Sequence, residues 1–575
     1  MSSETAAITA RSHPGKSRAW SDVRAGGLVG YGLLWAFFAV FLIYPLICLF
    51  YDSFTTQNGV FTLANFRDFF SDSFYLRSFF NSLWLGVACV ITTSILGIAI
   101  AFLLLRYEFP GRQLFSYLTI IPMIMPPLVG VMGFTFILGR AGTVNVLLHD
   151  YLGFEKPVNF MYGVHGVLLV ETLHLFPLMT LSLVDAMSKI SPSLDEAAES
   201  VGSRGLRKFW DITFPLTTPG YVTGALLVFI WTFADFATPL VVGVDDLLAS
   251  QAYLNIVQFV DRRLFKMGIV ISAIMVVLAI IFLVVAKKYV ALKDYSSLSY
   301  AQIERRRLSL ASRLGVVGFL ALVLIFAFIP YFGIALDSFG RGWALTPIPV
   351  KYTLQYFQRV SVETPKFILN SLLYSGISVA ICIAVGVPSA WVMSRTKLPG
   401  REVLDSLTTL ILALPGTGIG VAYMRAFRDP LPFMGIPLIG MWMVIPIVLG
   451  VRRLPYTVRG TFASLLIVHR AFEEAAESVG ATKIKTFRDV TLPLIWKGVL
   501  TGSLYSFILA LQEASATLLL VVPGHEMMTV GIFNFYIGGS VNEAAALGLI
   551  LILLGAICLL IINRLAGSKM GGVFG

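Results

Sequence analysis

Several ionisable side chains fall within stretches of the chain that are otherwise oily, among them Glu171, His174, Asp235, Arg452, Arg453 and Glu513. At membrane depth such groups can line a polar path, couple ions or protons, or satisfy one another. Asp235, in "WTFADFATPL", and Glu513, in "LQEASATLLL", occupy matching places when the two halves of the chain are superposed. A matched acidic pair suits a central pathway. The plainer alternative is an interhelical hydrogen bond, with Trp231 or Thr238 as the partner of Asp235. Glu171 and His174 stand three apart on one helical face and suit each other as partners. The second half has Leu449 and Arg452 at those places, so that pair is not repeated. Arg452 and Arg453 suit an anion, or a position snorkelled to the cytoplasmic edge.

Other chemistries find no residues to carry them. The P-loop pattern G-x-x-x-x-G-K-[ST] does not occur, and "HPGKS" lacks the upstream glycine. No serine elbow, dinucleotide fingerprint or zinc motif stands out. The six histidines are scattered, and Cys48, Cys89, Cys382 and Cys558 lie far apart without a C-x-x-C. Buried small hydrophobes, rather than a disulfide or metal site, are expected at those cysteines. Covalent catalysis is not expected.

A second set of residues is acidic, rich in alanine and present twice. "DEAAESVG" at 195–202 is echoed by "EEAAESVG" at 473–480. Ser191-Pro192 is a good helix start, and Ser193 with Glu196 also reads as a capping box. Ala197, Ala198, Ala475 and Ala476 favour helix with little bulk, and Gly202 and Gly480 should stop it. The second copy, "IVHRAFEEAA", offers no clear N-cap. A second short helix should follow, 206–216 and 484–494, ending at Pro215 and Pro493. Small residues, a sharp glycine turn and a short amphipathic helix make a compact plug for another protein's groove.

The elements that must hold these residues are membrane helices. Of 575 residues 57% are hydrophobic and 13% charged, about half the charged share of a soluble domain. The oily residues come in twelve runs, roughly 27–50, 82–105, 114–138, 164–187, 219–243, 267–290, 314–336, 370–393, 404–427, 437–459, 499–522 and 544–565. Each is about the length that spans hydrocarbon as a helix. Pro122, Pro126, Pro127 and Pro415, with Gly416, Gly418 and Gly420, mark the third run of each half for a break or kink. The net charge of +11 fits membrane orientation rather than nucleic acid. Arg11, Lys16, Arg18 and Arg24 precede the first run, and Lys287, Lys288, Lys293, Arg305, Arg306, Arg307 and Arg313 join the halves. Both termini then lie in the cytoplasm. Arg262, Arg263 and Lys266 break this pattern on the outer side.

The halves share one plan. "YPLICLFYDSF" pairs with "IPYFGIALDSF", "NSLWLG" with "NSLLYSG", and "RYEFPGR" with "RTKLPGR". From His174 and Arg452 onward the halves align without a gap to Gly224 and Gly502. Six spans per half place both the same way up, a parallel repeat. The fold class is therefore an all-α membrane protein of twelve transmembrane helices in two six-helix repeats. The expected organisation is a disordered cytoplasmic tail (1–24), a first half (25–290), a basic linker (291–312) and a second half (313–575).

The duplicated E-A-A, three residues, glycine, then a Leu-Pro-like pair resembles the cytoplasmic loop of binding-protein-dependent ABC importer permeases. The resemblance implies that Glu196, Ala197, Ala198 and Gly202, with Glu474, Ala475, Ala476 and Gly480, form two coupling helices for an ATPase subunit. It implies two copies of that subunit, a periplasmic solute-binding protein, a bacterial inner membrane and ATP used by the partner, with no cofactor on this chain. "VRRLPYTVRG", "LPGTGIGVAY" and "LQEASATLLL", with the fusion of two halves, resemble the subfamily associated with ferric iron and with organophosphonates such as 2-aminoethylphosphonate. The competing class is an ion-coupled secondary transporter, in which Asp235, Glu513 and Glu171 would couple ions. Its major facilitator form expects Gly-x-x-x-Asp-Arg-x-Gly where this chain has "RYEFPGR". Purified chain alone is expected to hydrolyse no ATP; turnover that scales with its concentration would contradict the absence of a nucleotide site.

Overall fold

The computed structural model describes residues 25–56, 58–190, 192–203, 205–258, 260–291, 305–343, 346–430 and 435–566. The basic tail and most of the linker lie outside them. Among the described residues ten helices are long and apolar enough to cross a membrane, and the bent pair Arg401–Ala413 with Gly416–Ala426 brings the number to eleven. The twelfth expected span is the 24-residue helix Val444–Ile467. It covers most of the oily run 437–459 and carries Arg452, Arg453 and Arg459, three charges within one apolar helix.

The repeat read from sequence is repeated in packing. The fourth span, Val164–Ser188, lies between the second, Ser73–Arg106, and the fifth, Phe214–Ala234. In the same way Val444–Ile467 lies between Lys366–Arg395 and Leu492–Leu511. The first span of each half crosses over. Tyr44–Ser53 packs on the sixth span, Arg262–Ala291, and on Gly416–Ala426 of the other half. Leu310–Phe339 packs on the last span, Val541–Ala566, and on Pro127–Leu138 of the first half.

Proline chemistry breaks the third span of each half at the same place. The residue before a proline is pushed out of the helical region. Met125 (φ −72°, ψ 128°) and Pro126 (φ −58°, ψ 137°) are extended, as are Leu414 (φ −73°, ψ 124°) and Pro415 (φ −59°, ψ 141°). In the second half the two segments meet at 110°. The fifth spans are also shorter than their oily runs: the helices end at Ala234 and Leu511, just before Asp235 and Glu513. Pro215 and Pro493 do not end a separate helix. A π turn (Phe209–Thr213, Phe487–Thr491) leads straight into each fifth span, with the proline in its first turn, where a missing N–H costs little.

Asp261 accepts from the Arg263 and Leu264 amides at 2.8 and 3.2 Å, and Asp52 receives Lys266 on its carbonyl and Arg425 on its carboxylate. The described end of the linker is held as well: Arg306–Arg307 pairs in parallel with Tyr107–Glu108, and Arg305 lies 3.8 Å from Glu108. The four cysteines are free, with Cys89 and Cys382 buried.

The tightest crossing between halves is glycine on proline. A Cβ on Gly133 would stand 2.2 Å from the Pro330 carbonyl oxygen, and one on Gly333 as close to the Gly133 oxygen. Gly133→Ala is therefore expected to cost about 1–3 kcal/mol and to lower the melting temperature in detergent. Gly130→Ala, whose Cβ would meet only the flexible Met125 sulfur at 3.3 Å, should melt close to the parent; equal effects would show that the crossing is not close-packed.

Candidate functional site

Two surface helices repeat in detail. Pro192–Ser200 begins at the Ser-Pro signal, and Ala471–Ser478 is its counterpart. Gly202 (φ 83°) and Gly480 (φ 91°) both enter the left-handed region that glycine tolerates. The Ser203 amide then reaches the Ala198 carbonyl at 2.9 Å, and the Ala481 amide the Ala476 carbonyl at 3.1 Å. These bonds close the helix ends. The second copy, which lacked a sequence cap, is started by His469: its Nδ1 accepts from the Ala471 amide at 3.2 Å.

Each helix offers a face without neighbours. Ala197, Glu474, Ala475 and Gly480 are exposed, Ala476 is half-buried, and Ala198 is buried against the bundle. The Glu196 side chain lies outside the described residues. Val201 and Val479 are 81% and 85% exposed, and Ile484 is 79% exposed. Burying one such side chain under a partner contributes about 1.5–3 kcal/mol. Small residues flanked by exposed aliphatics make a surface shaped for another protein.

The second helix is locked to the bundle by a residue the sequence reading passed over. Arg395 Nε lies 3.1 Å from Glu473 Oε1, and its Nη2 donates to the Leu465 and Val468 carbonyls at 2.9 and 2.7 Å. Thr491 donates to the same Glu473 oxygen at 3.1 Å. One guanidinium thus ties the end of the eighth span, the end of the tenth and the surface helix. Its place in "RTKLPGR", opposite Arg106 of "RYEFPGR", was the signal that could have found it.

The polar centre gathers around the two breaks. Asp235 accepts from the Ala237 and Thr238 amides at 3.1 and 3.2 Å, so its bond to Thr238 is to backbone and starts a short helix. Glu513 starts the matching helix through the Ala516 amide at 3.2 Å and also contacts Arg452 and Arg453. The arginines are therefore held inward rather than snorkelled. Glu171 and His174 do not bond each other. His174 Nδ1 meets the Pro122 carbonyl at 3.1 Å, while Glu171 lies beside Asp235 and Thr232. His174 Nε2 and Glu171 Oε1 have no hydrogen-bond partner among the described residues.

The backbone freed by the first break is satisfied by three side chains. Tyr331 Oη donates to the Ile121 carbonyl at 2.7 Å, His174 meets Pro122, and Gln512 Nε2 donates to the Ile124 carbonyl. Tyr331 and Gln512 come from the other half. In return Tyr423 donates at 2.5 Å to the Phe41 carbonyl, which Pro45 leaves without its helical donor.

A family model described as "Binding-protein-dependent transport system inner membrane component" matches residues 93–292 and again 382–571. The chain belongs to this family. It is similar to the ferric transport system permease protein FbpB of Actinobacillus pleuropneumoniae, 27% identical over 533 residues, 92% of this chain and 76% of that protein. A putative FbpB of Haemophilus influenzae is 27% identical over 487 residues, 84% of this chain and 76% of its own. The putative 2-aminoethylphosphonate transport system permease protein PhnU of Salmonella choleraesuis is 29% identical over 206 residues, 36% of this chain and 72% of its own.

The two matches fall one on each half, so this ABC importer permease is the fused, two-half form. Its duplicated surface helices lead through a glycine turn and a π turn into the fifth spans, just beyond whose far ends lie Asp235 and Glu513. Surface and polar centre are thus joined by a glycine turn and, beyond it, by helix that runs to the end of the fifth span. Arg395→Gln should loosen only the second surface helix. Hydrogen exchange at 471–481 is expected to quicken while 192–200 stays unchanged; equal change in both would remove Arg395 from this role.

Proposed function

We propose that this permease carries a small solute from periplasm to cytoplasm, ferric iron or an organophosphonate, in a complex with two copies of a cytoplasmic ATPase subunit. A periplasmic solute-binding protein delivers the solute. ATP is used by the partner, and this chain holds neither a nucleotide site nor a cofactor. Both termini lie in the cytoplasm of a bacterium with an inner membrane. The observation that carries the reading is the pair of matching surface helices, each exposing small and aliphatic residues and each linked through a glycine turn to a fifth span. Closure of the ATPase pair moves both helices, and the fifth spans pass that motion to the breaks.

Glu196, Ala197 and Gly202, with Ala198 packed beneath them, form one ATPase contact, and Glu474, Ala475, Ala476 and Gly480 the other. Asp235, Glu171, His174, Arg452 and Glu513 line the pathway. The names of the relatives support the two solutes. The ion-coupled alternative is weakened because Asp235 and Glu513 are engaged as helix caps, and Glu513 also with two arginines.

Glu474→Lys places a cation on the exposed face without touching the bundle. It is expected to release a co-purifying ATPase subunit or to abolish uptake. Unchanged complex and unchanged uptake would sink the coupling role of this helix.

A further inference from the structure

The break in the second half collects more positive charge than it neutralises. Arg452 and Arg453 contact a single carboxylate, Glu513, and their side chains are only 13% and 12% exposed. Arginine does not shed its proton in proteins, so one positive charge is left over. Arg452 has Glu513, Arg453 and Tyr456 as its electrostatic neighbours, and Glu513 is the one carboxylate among them.

A helix start adds to this charge. Gly416–Ala426 begins at the break, and its N-cap, Pro415, supplies no side-chain acceptor. The first amides of an α-helix and the positive end of its dipole attract anions. A Cβ on Gly416 would lie 2.8 Å from Arg452 Nη1 and 2.5 Å from Ser515 Cβ, so the glycine is what lets the guanidinium reach the helix start. Thr417, the next residue, is fully buried, and its hydroxyl has no hydrogen-bond partner among the described residues. Arg452 Nη1 meets Glu513, while Arg453 Nε has no hydrogen-bond partner among the described residues. Donors are in surplus, and an acceptor carrying negative charge is what they lack.

The first half does not repeat this. At the positions of Arg452 and Arg453 it has His174 and Leu175, and its helix after the break starts with Pro127. Among the described residues this arrangement occurs once, in the second half.

We propose that this break is an oxyanion subsite, where a phosphonate or phosphate group binds between Arg452, Arg453, Thr417 and the start of the Gly416–Ala426 helix. Glu513 holds the arginines when the subsite is empty. The proposal rests on the importer reading and deepens it, because a bare metal cation is repelled here and an oxyanion is drawn in. Planar guanidiniums suit the oxygens of such a group.

The test is calorimetry on the purified full chain in phospholipid-free detergent, with inorganic phosphate, methylphosphonate and chloride at matched ionic strength. Phosphate and methylphosphonate should bind saturably and chloride should not. Arg452→Gln and Arg453→Gln should each weaken binding about tenfold or more, and Arg453→Lys, which keeps the charge, by less. Glu513→Gln should tighten phosphate about tenfold, and phosphate should restore its melting temperature. Arginines that merely brace Glu513 would leave that variant unstable and unrescued. Absence of anion binding, equal affinity in the arginine variants, or preference for gallium(III) over phosphate would overturn the subsite. Short-chain phosphatidylglycerol binding in place of methylphosphonate would assign the charge to a lipid headgroup and overturn the solute reading. None of these readouts involves the ATPase, so failure here leaves the coupling helices standing, and failure of Glu474→Lys leaves the subsite standing.

Discussion

A helix broken inside a membrane leaves carbonyls that neither water nor lipid can satisfy. The first-half break solves this by borrowing donors, and two of the three come from the other half: Tyr331 for Ile121 and Gln512 for Ile124. The break cannot keep its backbone satisfied unless the halves stay in register. Tyr423 makes the reciprocal tie to Phe41. Fusion of the halves and exchange of their first spans follow the same logic. Each half completes a site in its partner, so neither is a self-sufficient bundle.

This constraint also locates motion. Bonds that span the halves lie at the breaks and also elsewhere, as between Asp52 and Arg425 and between Thr143 and Pro347, whereas the fourth span of each half is clasped by the second and fifth of its own half. Rigid halves meeting at a polar seam are suited to rocking. The fifth spans reach that seam at Asp235 and Glu513 and begin near the surface helices. The halves are not equivalent there: the first presents Glu171, His174 and Asp235, the second Arg452, Arg453 and Glu513. Pseudo-symmetry governs the scaffold, and the chemistry departs from it.

Much of the scaffold was legible. Hydropathy located the spans because lipid imposes one length on every crossing. The proline pairs marked the broken third spans, and the duplicated glycines marked both left-handed stops. Where the reading erred, local chemistry competed with hydropathy. The fifth spans looked longer because oily residues continue past Asp235 and Glu513, yet those carboxylates cap new helices and end the old ones. Pro215 and Pro493 looked like stops because a π turn that leads into the span has no sequence signature. Glu171 and His174 looked like partners because helical spacing sees only one helix, and the Pro122 carbonyl lies on another.

By itself, then, the sequence determined the solvent, the approximate places of the crossings, the twofold plan and the duplicated helices at the surface. Those follow from composition, period and repetition, which are properties of neighbours along the chain. Only the tertiary structure decided which donors answer the orphaned carbonyls, that Arg395 holds the second surface helix, and that Arg452 and Arg453 share Glu513. These contacts join residues from about fifty to nearly four hundred positions apart, and a hydrogen bond or ion pair depends on distance in space, which no local pattern records.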